Sequence, residues 1–181
     1  MTSADDLWPF IRDIPDFPQP GVVFRDITPL LGDPDALRLA TELLVAPFDG
    51  PVTKVVGIEA RGFILAAPIA LALGAGFVPV RKPRKLPWDT HAHSYELEYG
   101  SDVLEVHRDA LTPDDRVLIV DDVLATGGTA TATCALVSQF FTATVVGLTF
   151  LLELPALGGR ERLDPLGHRV ESVLSVSPGS A

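Results

Sequence analysis

Cysteine is almost missing from this 181-residue chain. Cys134 is the only one, so no disulfide framework can form within the chain, and its helical spacing predicts a buried thiol. Basic charge is scarce as well. Lys and Arg number 14 against 24 Asp and Glu, a net charge of −10, which argues against a broad nucleic-acid or membrane surface but permits a small positive pocket. No apolar run is long enough to span a bilayer, and no secretory signal pattern is seen, so a reducing, cytoplasmic setting is the expectation. The nucleotide loop G-x-x-x-x-G-K-[ST] and the dinucleotide fingerprint G-x-G-x-x-G are both missing. There is no internal repeat, low-complexity tract or linker. A single domain over residues 1–181, large enough for a sizeable core, is expected.

What is present is concentrated in residues 117–129, V-L-I-V-D-D-V-L-A-T-G-G-T. Val117, Leu118, Ile119 and Val120 do not alternate with polar residues, so the strand they form should be covered on both faces, as central parallel strands are. Beyond the turn, Ala130, Cys134, Val137 and Phe141 recur at helical spacing. The turn therefore lies at a helix N-terminus, where free N–H groups and the dipole favour an anion. Gly127 and Gly128 allow close backbone approach, and Thr126 and Thr129 add hydroxyl donors. A strand, a Gly-containing turn and a helix are also ordinary βα punctuation. Asp121 and Asp122 weigh against that reading, because adjacent carboxylates would repel each other and lose hydration unless they faced hydroxyls or a cation. A sugar phosphate fits this pattern better than a triphosphate or a dinucleotide does.

The rest of the chain alternates helices and strands. Residues 11–31 hold too many prolines for a regular element yet are strongly apolar, which predicts an ordered covering segment. Asp33 before Pro34 reads as a cap and first helical residue, with Leu37, Ala40 and Leu44 on one face. A strand over 52–58 precedes an apolar helix over 63–73, interrupted by Pro68 and ending at Gly74 and Gly76, and then a short strand over 77–80. This βαβ pattern implies a parallel sheet with a right-handed crossover. Residues 81–90 carry four basic side chains between prolines, either a solvated loop or a patch that focuses a polyanion. Alternation over 95–99 and 103–107 reads as a β-hairpin. A core strand is expected over 144–152, a short helix over 157–163, an edge strand over 170–176, and a frayed tail over 177–181.

Two acidic residues followed by Thr-Gly-Gly-Thr resemble the diphosphoribose-binding signature of type I phosphoribosyltransferases. The N-terminal run P-D-F-P-Q-P-G-V-V-F-R-D-I-T-P resembles the base-binding hood of the adenine phosphoribosyltransferases, and the likeness covers nearly the whole chain. It implies an α/β fold with a Rossmann-like central parallel sheet flanked by helices, a hood over residues 1–31, and a lid loop and hairpin over 81–107.

The resemblance also implies an activity: Mg²⁺-dependent transfer of phosphoribose from 5-phosphoribosyl 1-diphosphate to adenine, giving AMP and diphosphate, by an enzyme that is usually a homodimer. Residues Ala125, Thr126, Gly127, Gly128 and Thr129 would take the 5-phosphate, and Asp121 and Asp122 the ribose hydroxyls. Glu59, Ala60 and Arg61, with Arg81, Lys82 and Lys85 of the lid, would hold the diphosphate. Val23 and Arg25 would recognise adenine through their backbones, between Phe24 and Leu124, while Glu98 would handle a proton. Mg²⁺ would bind mainly through substrate oxygens, without a protein cage. A non-proline cis peptide, or a strongly non-standard backbone, is implied at or next to Glu59-Ala60.

Two lid residues depart from the family pattern K-x-G-K-L-P-G. Arg84 stands at the first glycine and Trp88 at the second, and losing φ-permissive residues would stiffen the lid or alter its closed path. His91 and His93 read as exposed loop histidines, lacking a third ligand for a metal. A phosphoribosyltransferase for hypoxanthine, guanine or orotate is the enzymatic alternative. A purine-regulator module that senses the diphosphoribose without transferring it is the other. The hood segment and Glu98 favour adenine transfer, and no basic face suits DNA.

Overall fold

The computed structural model describes residues 2–96 and 101–176. In chain order the elements are β1 (Arg12–Ile14), β2 (Phe24–Asp26), α1 (Thr28–Gly32), α2 (Pro34–Val45), β3 (Lys54–Ile58), α3 (Arg61–Leu73) and β4 (Gly76–Val80). There follow β5 (Thr90–Glu96), β6 (Ser101–His107), β7 (Arg116–Leu124), α4 (Gly128–Phe140), β8 (Thr144–Glu153), α5 (Gly159–Leu163) and β9 (Val170–Ser175). Five strands form one parallel sheet in the order β4-β3-β7-β8-β9.

The unbroken apolar run of β7 is explained by its place at the centre. Val117 and Ile119 enter a core shared with Val56, Ile58, Phe150 and the inner face of α4. Leu118 and Val120 enter a second core, on the other side, with Val55, Leu151 and the buried faces of α2 and α3. A two-faced strand has no wet side, so alternation vanishes. Cys134 is buried, and burial pushes its thiol up to about 12, leaving it unreactive at neutral pH. No helix among the described residues is long and apolar enough to cross a membrane.

Local signals explain the helix starts. Asp33 caps α2 by accepting from the Asp35 and Ala36 N–H groups at 3.1 and 2.9 Å, with Pro34 at the first helical position. The helix α3 runs through Pro68 without ending and stops at Gly74, whose φ is +63°.

Three sequence expectations need correction. Residues 11–31 do contain regular structure: β1 and β2 pair antiparallel, Arg12 with Asp26 and Ile14 with Phe24, ahead of α1. Pro15, Pro18 and Pro20 lie between β1 and β2, and Pro29 in the first turn of α1, so no ladder hydrogen bond is lost. The second correction concerns the hairpin, which begins at Thr90, five residues before the expected start, and pairs through His107. Leu104 and Val106 are buried in the main core, so the base of this hairpin belongs to the body of the domain. Lastly, His91 and His93 are strand residues rather than loop residues. His91 stacks on Phe140 at 4.3 Å between ring centroids, and desolvation there lowers its pKa, while His93 Nδ1 meets Gln139 Oε1 at 3.3 Å. The expected tail over 177–181 lies outside the described residues.

Candidate active site

Strand β7 continues through both carboxylates to Leu124, and the phosphate-type turn follows before α4 opens at Gly128. Gly127 caps the helix with φ +73°, a backbone conformation that favours glycine. A Cβ on Gly127 would stand 2.7 Å from the Gly159 carbonyl oxygen, and one on Gly159 would stand 2.2 Å from that of Ala125. The turn is thus pressed, glycine against glycine, on the start of α5. That support is fixed in turn by Arg160, which donates to Glu153 Oε1 at 2.8 Å and to the Val170 carbonyl at 2.9 Å. The Arg160 guanidinium holds the Glu153 carboxyl below its ordinary range. The sequence reading missed this brace, although the Gly158-Gly159 pair signalled a close approach. A small cavity of about 70 Å³ lies against Thr126, Gly127, Gly128, Thr129 and Leu124.

The two carboxylates differ. Asp122 is 5% exposed, and its Oδ2 lies 2.8 Å from Arg61 Nε, yet that oxygen has no aligned hydrogen-bond donor among the described residues. A buried acceptor with charge compensation but no hydrogen bond suits a ribose hydroxyl or a hydrated cation. Asp121 accepts from the Asp122 N–H at 2.9 Å. Burial first, and the neighbouring Asp122 charge second, push its carboxyl well above the ordinary value of 3.8, with Arg61 opposing. Gly62 makes this enclosure possible: a Cβ there would lie 2.8 Å from Asp121 Oδ1.

Across the crevice, the Glu59-Ala60 peptide is cis, as the resemblance implies, and it leads directly into Arg61 at the first turn of α3. The four basic side chains expected around the diphosphate are distributed unevenly. Arg61 and Lys82 line the crevice, together with Glu59 and Ala60. Arg81 is held elsewhere, donating to Glu59 Oε2 at 2.7 Å and to the Lys85 carbonyl at 3.1 Å, with its guanidinium 5.8 Å from the Phe63 ring. The Lys85 side chain is exposed and away from the crevice lining. Glu59 therefore presents its carboxylate to Arg81, and to the Lys82 N–H at 3.3 Å. Arg84 takes φ +64°, so the backbone keeps the left-handed conformation even though glycine is not there.

The hood closes the other end. Val23, Phe24 and Arg25 line the crevice, Phe17 packs edge-on against Phe24 at 5.2 Å, and the Arg61 guanidinium sits 5.0 Å over the Phe24 ring. Arg25 is ion-paired with Asp13. Leu124, expected beside Phe24, is instead buried beneath the phosphate turn, and Val123 and Leu154 line the crevice in its place. Strand alternation one residue along accounts for the difference. Glu98 lies outside the described residues. Tyr95 and Asp102, which the sequence did not single out, reach the crevice from the hairpin. The whole cavity measures about 630 Å³, within the range of small-molecule sites.

A carboxylate pair and a glycine turn at the carboxyl end of a central parallel strand, under an N-terminal hood, define a nucleotide-forming site of the phosphoribosyltransferase type. The phosphoribosyl transferase domain family matches residues 35–162. An adenine phosphoribosyltransferase from Acidothermus cellulolyticus is 62% identical over 167 residues, 92% of this chain and 93% of that protein. The crystal structure of adenine phosphoribosyltransferase from Rhodothermus marinus superposes with TM-score 0.90 at 56% identity, covering 96% of this chain and 98% of that one. The APRTase of Giardia lamblia, solved with 9-deazaadenine, is 39% identical with TM-score 0.90, over 98% of this chain and 100% of that one. The chain belongs to the adenine phosphoribosyltransferases.

Proposed function

We propose that this chain transfers phosphoribose from 5-phosphoribosyl 1-diphosphate to adenine, yielding AMP and diphosphate for purine salvage. The bond from ribose C1 to the diphosphate oxygen breaks, a bond from C1 to adenine N9 forms, and the N9 proton leaves. The observation that carries this reading is the single crevice joining the hood at Phe24, the carboxylates Asp121 and Asp122, and Arg61. A cation-like sugar develops as diphosphate departs, and two fixed carboxylates beside the ribose stabilise that charge where it appears.

In this reading, Ala125, Thr126, Gly127, Gly128 and Thr129 take the 5-phosphate through N–H groups and hydroxyls. Arg61 and Lys82 meet the diphosphate, beside main-chain groups of Glu59 and Ala60, with Arg81 and Lys85 brought closer on closure of the loop over residues 81–90. Val23 and Arg25 offer backbone groups to adenine within the hood over residues 1–31, while Phe24 covers its face with Val123 and Leu154 below. Glu98 is assigned the proton on the base. Mg²⁺ would be held mainly by substrate oxygens and waters, and Asp122, whose buried Oδ2 has no hydrogen-bond donor among the described residues, fits that hydrated ion beside Asp121. Neutralisation of the leaving diphosphate is the chemistry that this ion supplies when bound.

The adenine-like ligand of the Giardia relative supports the base assignment. A cytoplasmic homodimer is the working form we assign, resting on Ile64, Leu71 and Phe77, which are 47, 83 and 40% exposed along α3 and β4. A monomeric mass at micromolar concentration with full activity would contradict the dimer. The functional reading is tested with a panel of adenine, hypoxanthine, guanine and orotate, labelled 5-phosphoribosyl 1-diphosphate and Mg²⁺. Adenine should be the base consumed; use of hypoxanthine, guanine or orotate with adenine ignored would overturn it, and tight binding without any transfer would favour a sensing module.

A further inference from the structure

Lys82 is the one cation of the basic loop that lines the crevice, and it is already paired: its Nζ lies 2.9 Å from Asp102 Oδ2. The Asp102 carboxylate, largely enclosed at 22% side-chain exposure, has a second neighbour in Tyr95, whose hydroxyl is 3.5 Å from the same oxygen. That hydroxyl also lies 3.4 Å from Thr129 Oγ1, a hydroxyl of the phosphate turn. Both Tyr95 contacts are long for O–H···O bonds, so neither is fully made. A continuous chain of side chains therefore runs from the 5-phosphate turn, through Tyr95 and Asp102, to Lys82 at the diphosphate end.

We propose that Asp102 is a positioning residue that competes with diphosphate for Lys82, and that Tyr95 couples this exchange to occupation of the 5-phosphate turn. The proposal rests on the reading of Lys82 as a diphosphate cation. When a phosphate oxygen engages the Thr129 hydroxyl, Tyr95 loses that neighbour and turns its O–H fully onto Asp102. The carboxylate then keeps a donor while Lys82 swings to the diphosphate. As diphosphate leaves, Asp102 takes Lys82 back. A 57% exposed lysine suits this exchange, because a screened ion pair is weak enough for a polyanion to break. Each partner stabilises the other's charged form: Asp102 raises the Lys82 pKa, and Lys82 lowers that of Asp102.

The test is calorimetric titration of magnesium pyrophosphate into the full chain, with and without saturating ribose 5-phosphate, alongside steady-state kinetics. Asp102→Asn should bind pyrophosphate about two- to fivefold more tightly, the scale of a partly screened charge pair. Its KM for 5-phosphoribosyl 1-diphosphate should fall, with kcat falling because release slows, and Asp102→Glu should restore the original values. Tyr95→Phe should abolish the gain in pyrophosphate affinity that ribose 5-phosphate confers. Weaker or unchanged pyrophosphate binding by folded Asp102→Asn, while Lys82→Ala weakens it, would overturn the competition. Unchanged binding by Lys82→Ala would instead remove Lys82 from the diphosphate site, and the proposal with it.

Discussion

Arg61 Nε stands 2.8 Å from Asp122 Oδ2, joining the start of α3 to the end of β7 across the crevice. The same guanidinium lies over Phe24, so one side chain touches the hood, the carboxylate assigned to the ribose and the assigned diphosphate end. Arg61→Ala should raise the dissociation constant for pyrophosphate by about tenfold or more, the scale of a charge-assisted contact. Adenine affinity should change far less. Titration of both ligands decides it, and an equal loss for adenine and pyrophosphate would assign Arg61 to general support of the site.

Asp121 gives a prediction with a defined sign. Its folded pKa lies above the ordinary 3.8, chiefly through burial and then through Asp122. The folded state therefore binds this proton more tightly than the unfolded chain does. The resulting stability is complete below about pH 3.8 and is lost as pH rises through the folded value. Asp121→Asn cannot ionise, so, measured without substrates, it should melt no lower than the parent protein at neutral pH, and the gap should close in acid. Turnover should nevertheless collapse. A melting temperature that falls in step with activity would make Asp121 structural.

Gly159→Ala addresses the brace behind the phosphate turn. Its new Cβ would meet the Ala125 oxygen at 2.2 Å and Leu124 Cδ1 at 2.9 Å, so the turn has to shift. Overpacking of this kind costs about 1–3 kcal/mol. The KM for 5-phosphoribosyl 1-diphosphate should rise while adenine binding holds. Unchanged kinetics would show that the turn tolerates displacement.

Arg84→Gly concerns the lid. A side chain at φ +64° costs about 1 kcal/mol relative to glycine, partly offset by the freedom glycine brings to the unfolded chain. The Arg84 N–H bond to Glu105 Oε2, at 3.0 Å, is a main-chain contact and survives the change. Denaturant unfolding should give equal or slightly greater stability. A clear loss would mean the arginine side chain itself supports the loop.

Much of the site was readable because its signals are local. Val117 to Val120 lacks alternation, Asp121 and Asp122 follow, and Gly127-Gly128 marks the helix start, all within one stretch. Asp33-Pro34 announced its cap in the same way. What stayed hidden depends on contacts between distant residues. Gly159 lies 32 positions from Gly127, and only the folded chain presses the two together. Charge could be counted in the basic loop, but the capture of Arg81 by Glu59 could not be seen, nor could the pairing of Lys82 with Asp102. His91 looked like a wet loop residue because its partner, Phe140, comes from another element. Prolines hid the β1–β2 ribbon, since composition says nothing of a three-residue strand fitted between them.

The central claim is that Asp121 and Asp122 serve phosphoribosyl transfer to adenine, and the most direct measurement is the initial rate of AMP and diphosphate formation. The parent protein and the Asp121→Asn/Asp122→Asn variant are compared with adenine, 5-phosphoribosyl 1-diphosphate and Mg²⁺. The account predicts AMP and diphosphate in equal amounts from the parent, and a folded variant slowed by about 100-fold or more, the scale of lost electrostatic stabilisation. No AMP from the folded parent protein, or an undiminished rate in the variant, would contradict it.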